Sequence, residues 1–208
     1  MAQVLKDEVK DAILSSAKEE FQEFGFDKTS MRSIAMKSRM TVGNLYRYFK
    51  SKEELSDTIV SPAYSAINKA VEKISHGKVA FGKDSRSLEA SPEELKEMLS
   101  SLSDTLVDIH KKHPVELNIL MMGSRLNKEL TQWFAELIEG LIEQSFPIIE
   151  DNDKRVTLLS GCYSEAIFGG IRTILRNWKG SENDLRIMIK AYLNSYLSLL
   201  DQDISKLV

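Results

Sequence analysis

One cysteine in 208 residues excludes an internal disulfide and suits a reducing compartment, so the chain is expected in the cytoplasm. Only four prolines and ten glycines interrupt it, and no clear run alternates apolar and polar residues at period two. An all-α fold is therefore expected. No uncharged apolar stretch reaches the roughly 18 residues that a membrane-spanning helix needs. The N-terminal MAQVLKDEVKDAI has acids from its seventh residue and no apolar core of its own, so it does not read as a signal peptide. With 42% hydrophobic and 28% charged residues, wholesale disorder is also excluded. The length suits one large domain or two small ones.

A second scarcity is local. Residues 28–52 contain no acid, but they hold Lys28, Arg32, Lys37, Arg39, Arg47, Lys50 and Lys52, a net charge of +7. The flanks are acidic: residues 1–27 carry −4 and residues 53–208 carry −6, which together give the overall −3. Such an island attracts polyanions, either nucleic acid or an anionic membrane surface. A solvated face is the bland alternative, and the order of residues inside the island weighs against it.

A first helix is expected from about Leu5 to Phe24, with Val9, Ile13, Ala17, Phe21 and Phe24 at helical spacing and Gly25 as its stop. Thr29 or Ser30 can cap a short second helix that begins at Met31 and reaches at most Arg39. Thr41 caps a third, Val42 to about Tyr48, with Leu45 and Phe49 facing inward. Ser51 opens a fourth, with Glu54 closing a capping box. Two short helices joined by a tight turn behind a supporting first helix form a helix-turn-helix, whose second member enters the major groove of DNA. On that reading Val42, Gly43 and Asn44 approach base edges: Asn can read adenine bidentately, and Val42 can touch a thymine methyl. Thr29, Ser30, Arg32, Arg39, Thr41, Tyr46, Arg47, Tyr48, Lys50 and Lys52 complete the expected DNA-binding set, mostly as phosphate donors. Core packing is the competing role for Tyr46 and Tyr48.

The run Thr29-Ser30-Met31-Arg32-Ser33-Ile34-Ala35, followed by Met40-Thr41-Val42-Gly43-Asn44-Leu45-Tyr46-Arg47-Tyr48-Phe49-Lys50-Ser51-Lys52-Glu53-Glu54-Leu55, resembles the DNA-binding region of TetR/AcrR-family regulators, as does Phe-x-x-Phe-Gly-Phe at 21–26. The match covers about residues 9–55; beyond them the likeness is one of helical architecture. Arg39 departs from the family's usual turn glycine, and Val42 stands where a polar or basic residue is common. The resemblance implies about nine helices. It divides them into a helix-turn-helix DNA-binding domain over 1–50 and a ligand-binding and dimerisation domain over 51–208. It further implies a cytoplasmic homodimer acting as a repressor on a palindromic operator in double-stranded DNA, released by a small apolar or amphipathic effector.

Downstream, helix four is expected to reach about Ser75, with a possible bend at Pro62, and residues 76–90 read as a loop. Ser91-Pro92-Glu93-Glu94 starts a helix that runs to about Lys112. Pro114 opens a short one ending near Gly123, Lys128–Phe146 forms the next, Asp151 or Asn152 begins one reaching Trp178, and Ser181–Asp203 is the last. The final two are apolar on more than one side, which calls for two coverings. Ile171, Leu175, Trp178, Met188, Tyr192 and Tyr196 are the expected dimer contacts, with Gly161, Gly169 and Gly170 allowing close approach; simple core burial is the alternative. Met98, Leu102, Met121, Met122, Trp133, Phe134, Leu137, Tyr163 and Phe168 are candidate linings of the implied effector pocket, though each also fits a core. Glu165 and Arg172, in a mostly apolar helix, call for a charge partner or a ligand.

Catalysis finds little support. His110 and His113 are spaced i, i+3 but have no third ligand nearby, and Cys162 reads as an inert buried thiol. No enzyme activity, metal or cofactor is expected. The main rival is a DNA-bound interaction protein of the same fold that recruits a partner protein and has no effector. A membrane-surface role is weaker, because the basic island lacks exposed Trp or Leu to insert.

Overall fold

The computed structural model describes residues 2–74, 92–123, 125–145 and 154–203. Helices fill these residues, and no strand occurs among them. In chain order they are α1 (Ala2–Lys28), α2 (Met31–Lys37), α3 (Val42–Leu45), α4 (Lys52–Ile74), α5 (Pro92–Lys112), α6 (Pro114–Met121), α7 (Arg125–Ser145), α8 (Lys154–Asn177) and α9 (Glu182–Asp203). The expected loop 76–90 and the expected helix caps Ser91, Asp151 and Asn152 lie outside the described residues. The seventh helix starts three residues earlier than its apolar spacing suggests.

The chain forms two compact units. The first, the head, comprises Met1–Ser65 together with His113–Lys128; the second comprises Ala66–Lys112 and Glu129–Val208. The boundary expected at residue 50 coincides with neither break. One break falls inside α4, a continuous helix that tolerates Pro62, and the head takes in α6, which is remote in sequence.

In the head, Ile13, Ala17 and Phe21 of α1 are wholly buried, as are Ile34, Leu45 and Leu55 of the next three helices. The i, i+4, i+8 spacing of the first three places them on one stripe of α1, as a helix packing on others requires. α6 packs on α1, and the Lys18 ammonium meets the Glu116 carboxylate at 2.7 Å. Burial pushes the Glu116 carboxyl up, but the Lys18 charge outweighs it and holds the group below its ordinary value. Arg125 similarly meets Asp57 of α4 at 2.7 Å. Both pairs join residues 113–128 to the N-terminal helices across long sequence separations.

In the second unit α9 packs on α5 and α8. Asp104 of α5 meets Arg186 and Lys190 of α9, each at 2.9 Å. Leu185, Ile189 and Leu193 of α9 are fully buried. Of the residues expected at a dimer contact, Ile171 and Leu175 are instead buried in this unit's own core. Tyr192 turns its hydroxyl onto the Ala166 carbonyl at 2.6 Å and stacks edge-on against Tyr196. Trp178 folds back so that its indole N–H donates to the Ser181 carbonyl. The large apolar side chains exposed on this unit, among the described residues, are Leu158, Ile187 and Met188. Sequence spacing alone does not separate an inner from an outer face on a helix apolar all round, hence the reassignment. Cys162, expected to be buried, is exposed, and so are Glu165 and Arg172.

Of the three α8 glycines expected to allow close approach, only Gly170 lies against another helix. A Cβ there would collide with the Tyr192 ring and hydroxyl, whereas one on Gly161 would meet nothing within 4 Å. Gly170→Ala is therefore expected to cost about 1–3 kcal/mol through overpacking. Gly161→Ala should instead gain up to about 1 kcal/mol of helix propensity. Thermal melts check the pair, with about 2–4 °C per kcal/mol in a chain of this size; equal shifts would contradict the packing described.

His110 is half-buried on α5, where desolvation holds its pKa below the ordinary 6.5 despite a hydrogen bond to the Leu175 carbonyl. The folded state then binds fewer protons than the unfolded state just below that value, so stability falls as pH drops through about 6.5. Melting at about pH 7.5 and pH 5.5 should show a larger loss for the parent protein than for His110→Gln.

Candidate nucleic-acid interface

The head's outer surface is set by four chain reversals. At Gly25, φ is +77° and ψ is 171°, which breaks α1 one turn before its end. Thr29 follows. It is buried, and its hydroxyl proton lies within reach of the Gly25 carbonyl (2.8 Å) and the Glu20 carbonyl (3.1 Å). Ser30, not Thr29, caps α2: the Ser33 N–H donates to its Oγ at 3.0 Å, and the Ser30 N–H donates back to Ser33 Oγ at 3.1 Å.

α2 ends in a Schellman motif. The Met40 N–H donates to the Ala35 carbonyl at 2.9 Å and the Arg39 N–H to that of Met36 at 3.2 Å. The motif needs a left-handed residue between its two bonds, and Arg39 supplies it with φ of +56°. For an L residue this costs about 1–2 kcal/mol. Thr41 then caps α3, its Oγ1 accepting the Asn44 N–H at 3.2 Å. Only Val42–Leu45 are α-helical. The Arg47 and Tyr48 N–H groups reach back three residues, to Asn44 and Leu45, so the expected third helix tightens over its second half. Leu45 and Phe49 are buried and anchor this segment. At α4, Ser51 Oγ accepts the Glu54 N–H as the capping box predicts, but the Glu54 carboxylate accepts from the Lys50 N–H at 2.7 Å, one residue before the cap.

These turns sort the basic island into committed and uncommitted charges. The Lys52 ammonium donates inward to the carbonyls of Phe26 (2.7 Å) and Thr29 (3.0 Å), and lies 4.2 Å from the Phe26 ring centroid. Lys37 faces Glu19, Glu20 and Glu23 of α1 at 3.3, 3.4 and 3.9 Å. Desolvation disfavours its charge, but the glutamates outweigh this and raise its pKa. Lys28, Arg32, Arg39, Arg47 and Lys50 are exposed. Of the expected DNA contacts, Thr29 and Lys52 are thus engaged inside the head. Ser30, Arg32, Arg39, Thr41, Gly43, Tyr46, Arg47 and Lys50 are exposed, while Val42, Asn44 and Tyr48 are half-exposed.

Arg39, Met40, Thr41, Asn44 and Arg47 line one solvent-open hollow of about 600 Å³. Met40 had no polar signature to place it there. The hollow thus carries an apolar group as well as cationic ones, as a face touching sugars and base edges does.

The expected effector linings divide between the two units. Met121 and Met122 belong to the head, the latter within 3.5 Å of the Gly25 Cβ position. Trp133, Phe134 and Phe168 cluster in the second unit, with Phe134 edge-on to Phe168 at 5.8 Å. Trp133 and Leu137 are buried there, and Met98, Leu102 and Tyr163 are half-buried. His110 and His113, the pair weighed as metal ligands, lie in different units, with His113 at the start of α6.

Residues 13–59 match the family described as bacterial regulatory proteins, tetR family. The chain is 27% identical over 139 residues to the uncharacterized HTH-type transcriptional regulator YfiR of Bacillus subtilis (strain 168), a match covering 67% of this chain and 62% of that protein. It is 37% identical over 68 residues to the probable HTH-type transcriptional regulator YttP of the same organism, covering 33% of each. Both matches thus span less than two thirds of the relative's length. Among solved structures, a TetR-family transcriptional regulator from Bordetella parapertussis 12822 shares the fold with a TM-score of 0.53 at 18% identity, covering 91% of this chain and 96% of that one.

Lys52→Met tests the internal role of the ammonium. Losing charge-assisted bonds to two carbonyls should destabilise the head by about 1.5–3 kcal/mol. A melt unchanged from the parent would show that the lysine does not tie these turns together.

Proposed function

Because residues 13–59 match the tetR family of bacterial regulatory proteins, we propose that the chain is a TetR-family transcriptional regulator that binds a palindromic operator as a homodimer in the cytoplasm and acts as a repressor that a small apolar or amphipathic effector releases. The observation that carries the DNA-binding half is the sorting of charge in the head. Lys37 and Lys52 are paired with protein groups, while Arg39 and Arg47 stand exposed beside Thr41 and Asn44 at a short helix whose Val42 and Asn44 are half-exposed and Gly43 exposed. Asn44, Gly43 and Val42 are assigned to base edges. Arg32, Tyr46, Arg47, Tyr48 and Lys50, with the hydroxyls of Ser30 and Thr41, are assigned to phosphates. Thr29 and Lys52 act by holding the turns that present them.

For the dimer, Leu158, Ile187 and Met188 replace the inward-facing Ile171 and Leu175 as contacts, since exposed apolar side chains are what a second subunit would cover. The aromatic cluster of Trp133, Phe134 and Phe168 is the proposed effector contact, with Met98, Leu102, Leu137 and Tyr163 as further candidates in the same unit; Met121 and Met122 are withdrawn to the head. Release requires only that the effector-bound dimer fit its operator less well. A coupling of about 1–3 kcal/mol lowers affinity about 5- to 150-fold.

Selection of duplexes from a random pool, at two salt concentrations, tests this. A palindrome with half-sites about 34–36 Å apart, or a multiple of that, is expected. Arg47→Ala should flatten the salt dependence by about 0.9 per lost phosphate contact in each subunit, and Asn44→Ala should relax preference at one base pair in each half-site. Retention without an enriched sequence would favour the partner-recruiting alternative, and no retention would overturn the assignment.

A further inference from the structure

We propose that Arg39 keeps its strained turn position because its guanidinium, together with that of Arg47, seats one phosphate of the DNA backbone at the mouth of the hollow. This rests on the DNA-binding role of the head and deepens it. The Schellman motif that ends α2 demands a left-handed residue, and Gly or Asn would sit there with less strain. A strained residue that local geometry does not require points to something its side chain does. Inside the head Arg39 does nothing visible: among the described residues its guanidinium donates to no protein acceptor, and the same is true of Arg47. Lys37 and Lys52 show the contrast, since each of those cations is tied to named carboxylates or carbonyls.

The two uncommitted guanidinia line the same hollow as Thr41 and Asn44, and no carboxylate lines it with them. Two like charges facing one open space without a counter-charge form a seat for an anion. The planar fork of arginine fits phosphate oxygens through paired N–H bonds, which a lysine at the turn would not reproduce. The backbone of the turn also restricts where the side chain starts, so the phosphate contact would fix the register of α3 over the bases. Arg39 is thus a residue that positions Asn44 on DNA and reads no base itself.

The test compares Arg39→Gly, Arg39→Asn and Arg39→Lys with the parent, reading thermal melting and anisotropy titrations of a labelled random-sequence duplex at about 50 and 200 mM salt. The Gly and Asn variants should melt about 2–4 °C above the parent, because the strain is relieved. They should bind about tenfold more weakly at the lower salt, with the salt slope reduced by about 0.9 per subunit. Arg39→Lys should melt with the parent and keep its slope while binding less tightly. A Gly variant that binds with the parent's affinity and slope overturns the inference. If Arg47→Ala still loses affinity in that case, DNA binding by the head stands without it. A parent protein that retains no duplex overturns both.

Discussion

The junction around Thr29 and Lys52 is the constraint on which the head's surface depends. Thr29 lies next to the end of α1 and directly before the cap of α2, and Lys52 is the first residue of α4. The threonine hydroxyl closes onto the carbonyls of Glu20 and Gly25, and the lysine ammonium closes onto those of Phe26 and Thr29. The Gly25 carbonyl also takes the Thr29 N–H at 3.3 Å, and the four side-chain bonds lie in buried or part-buried surroundings. Satisfying these carbonyls with side chains lets three chain segments converge without leaving buried polar groups bare. α3 is only four residues long and has no rigidity of its own. Its direction is inherited from this junction, from the Schellman turn before it, and from the buried Leu45 and Phe49.

The same junction changes how the charge of the island should be counted. Seven basic residues in sequence do not make seven cations on the surface. Lys37 is surrounded by glutamates of α1, and Lys52 points inward. What remains outside is a smaller set grouped around α2 and α3, in a chain whose net charge is negative. On the proposed role, an acidic remainder discourages polyanions from binding elsewhere on the chain, so the overall −3 and the local excess are parts of one arrangement.

Most of the helical plan was legible in the sequence, because periodic apolar residues, Gly25, Thr41, Ser51 and Pro114 mark helices and their ends by local chemistry. The outward set of the head was legible for a similar reason, since short helices have few faces. What was not legible depends on long-range packing. Nothing around Thr29 distinguishes a hydroxyl that caps from one that is buried four residues after a glycine break. Lys52 carries no local sign that its ammonium will be consumed by carbonyls 23 and 26 residues earlier. On α8 the apolar residues wrap so far that the inner positions, Ile171 and Leu175, could not be told from outer ones such as Leu158. The compact units divide the chain elsewhere than at residue 50 for the same reason, because α6 joins the head through Lys18 and Glu116, 98 positions apart.

That last pairing has a consequence for how such a protein can change over generations. The surface proposed for DNA is encoded in one short stretch, but the body that supports it is encoded in two, separated by α5 and its flanks. A genetic crossover after Ser65 would carry the whole outward face into a new protein while leaving α6 behind, so that the α1 face it covers would lie bare and the partners of Lys18 and Asp57 would be missing. Exchange of the head as a cassette is therefore disfavoured unless the recipient supplies a matching sixth helix. Drift in the exposed residues of α2 and α3 is far less constrained. Specificity in this architecture can diverge one side chain at a time, on a foundation that must be inherited entire.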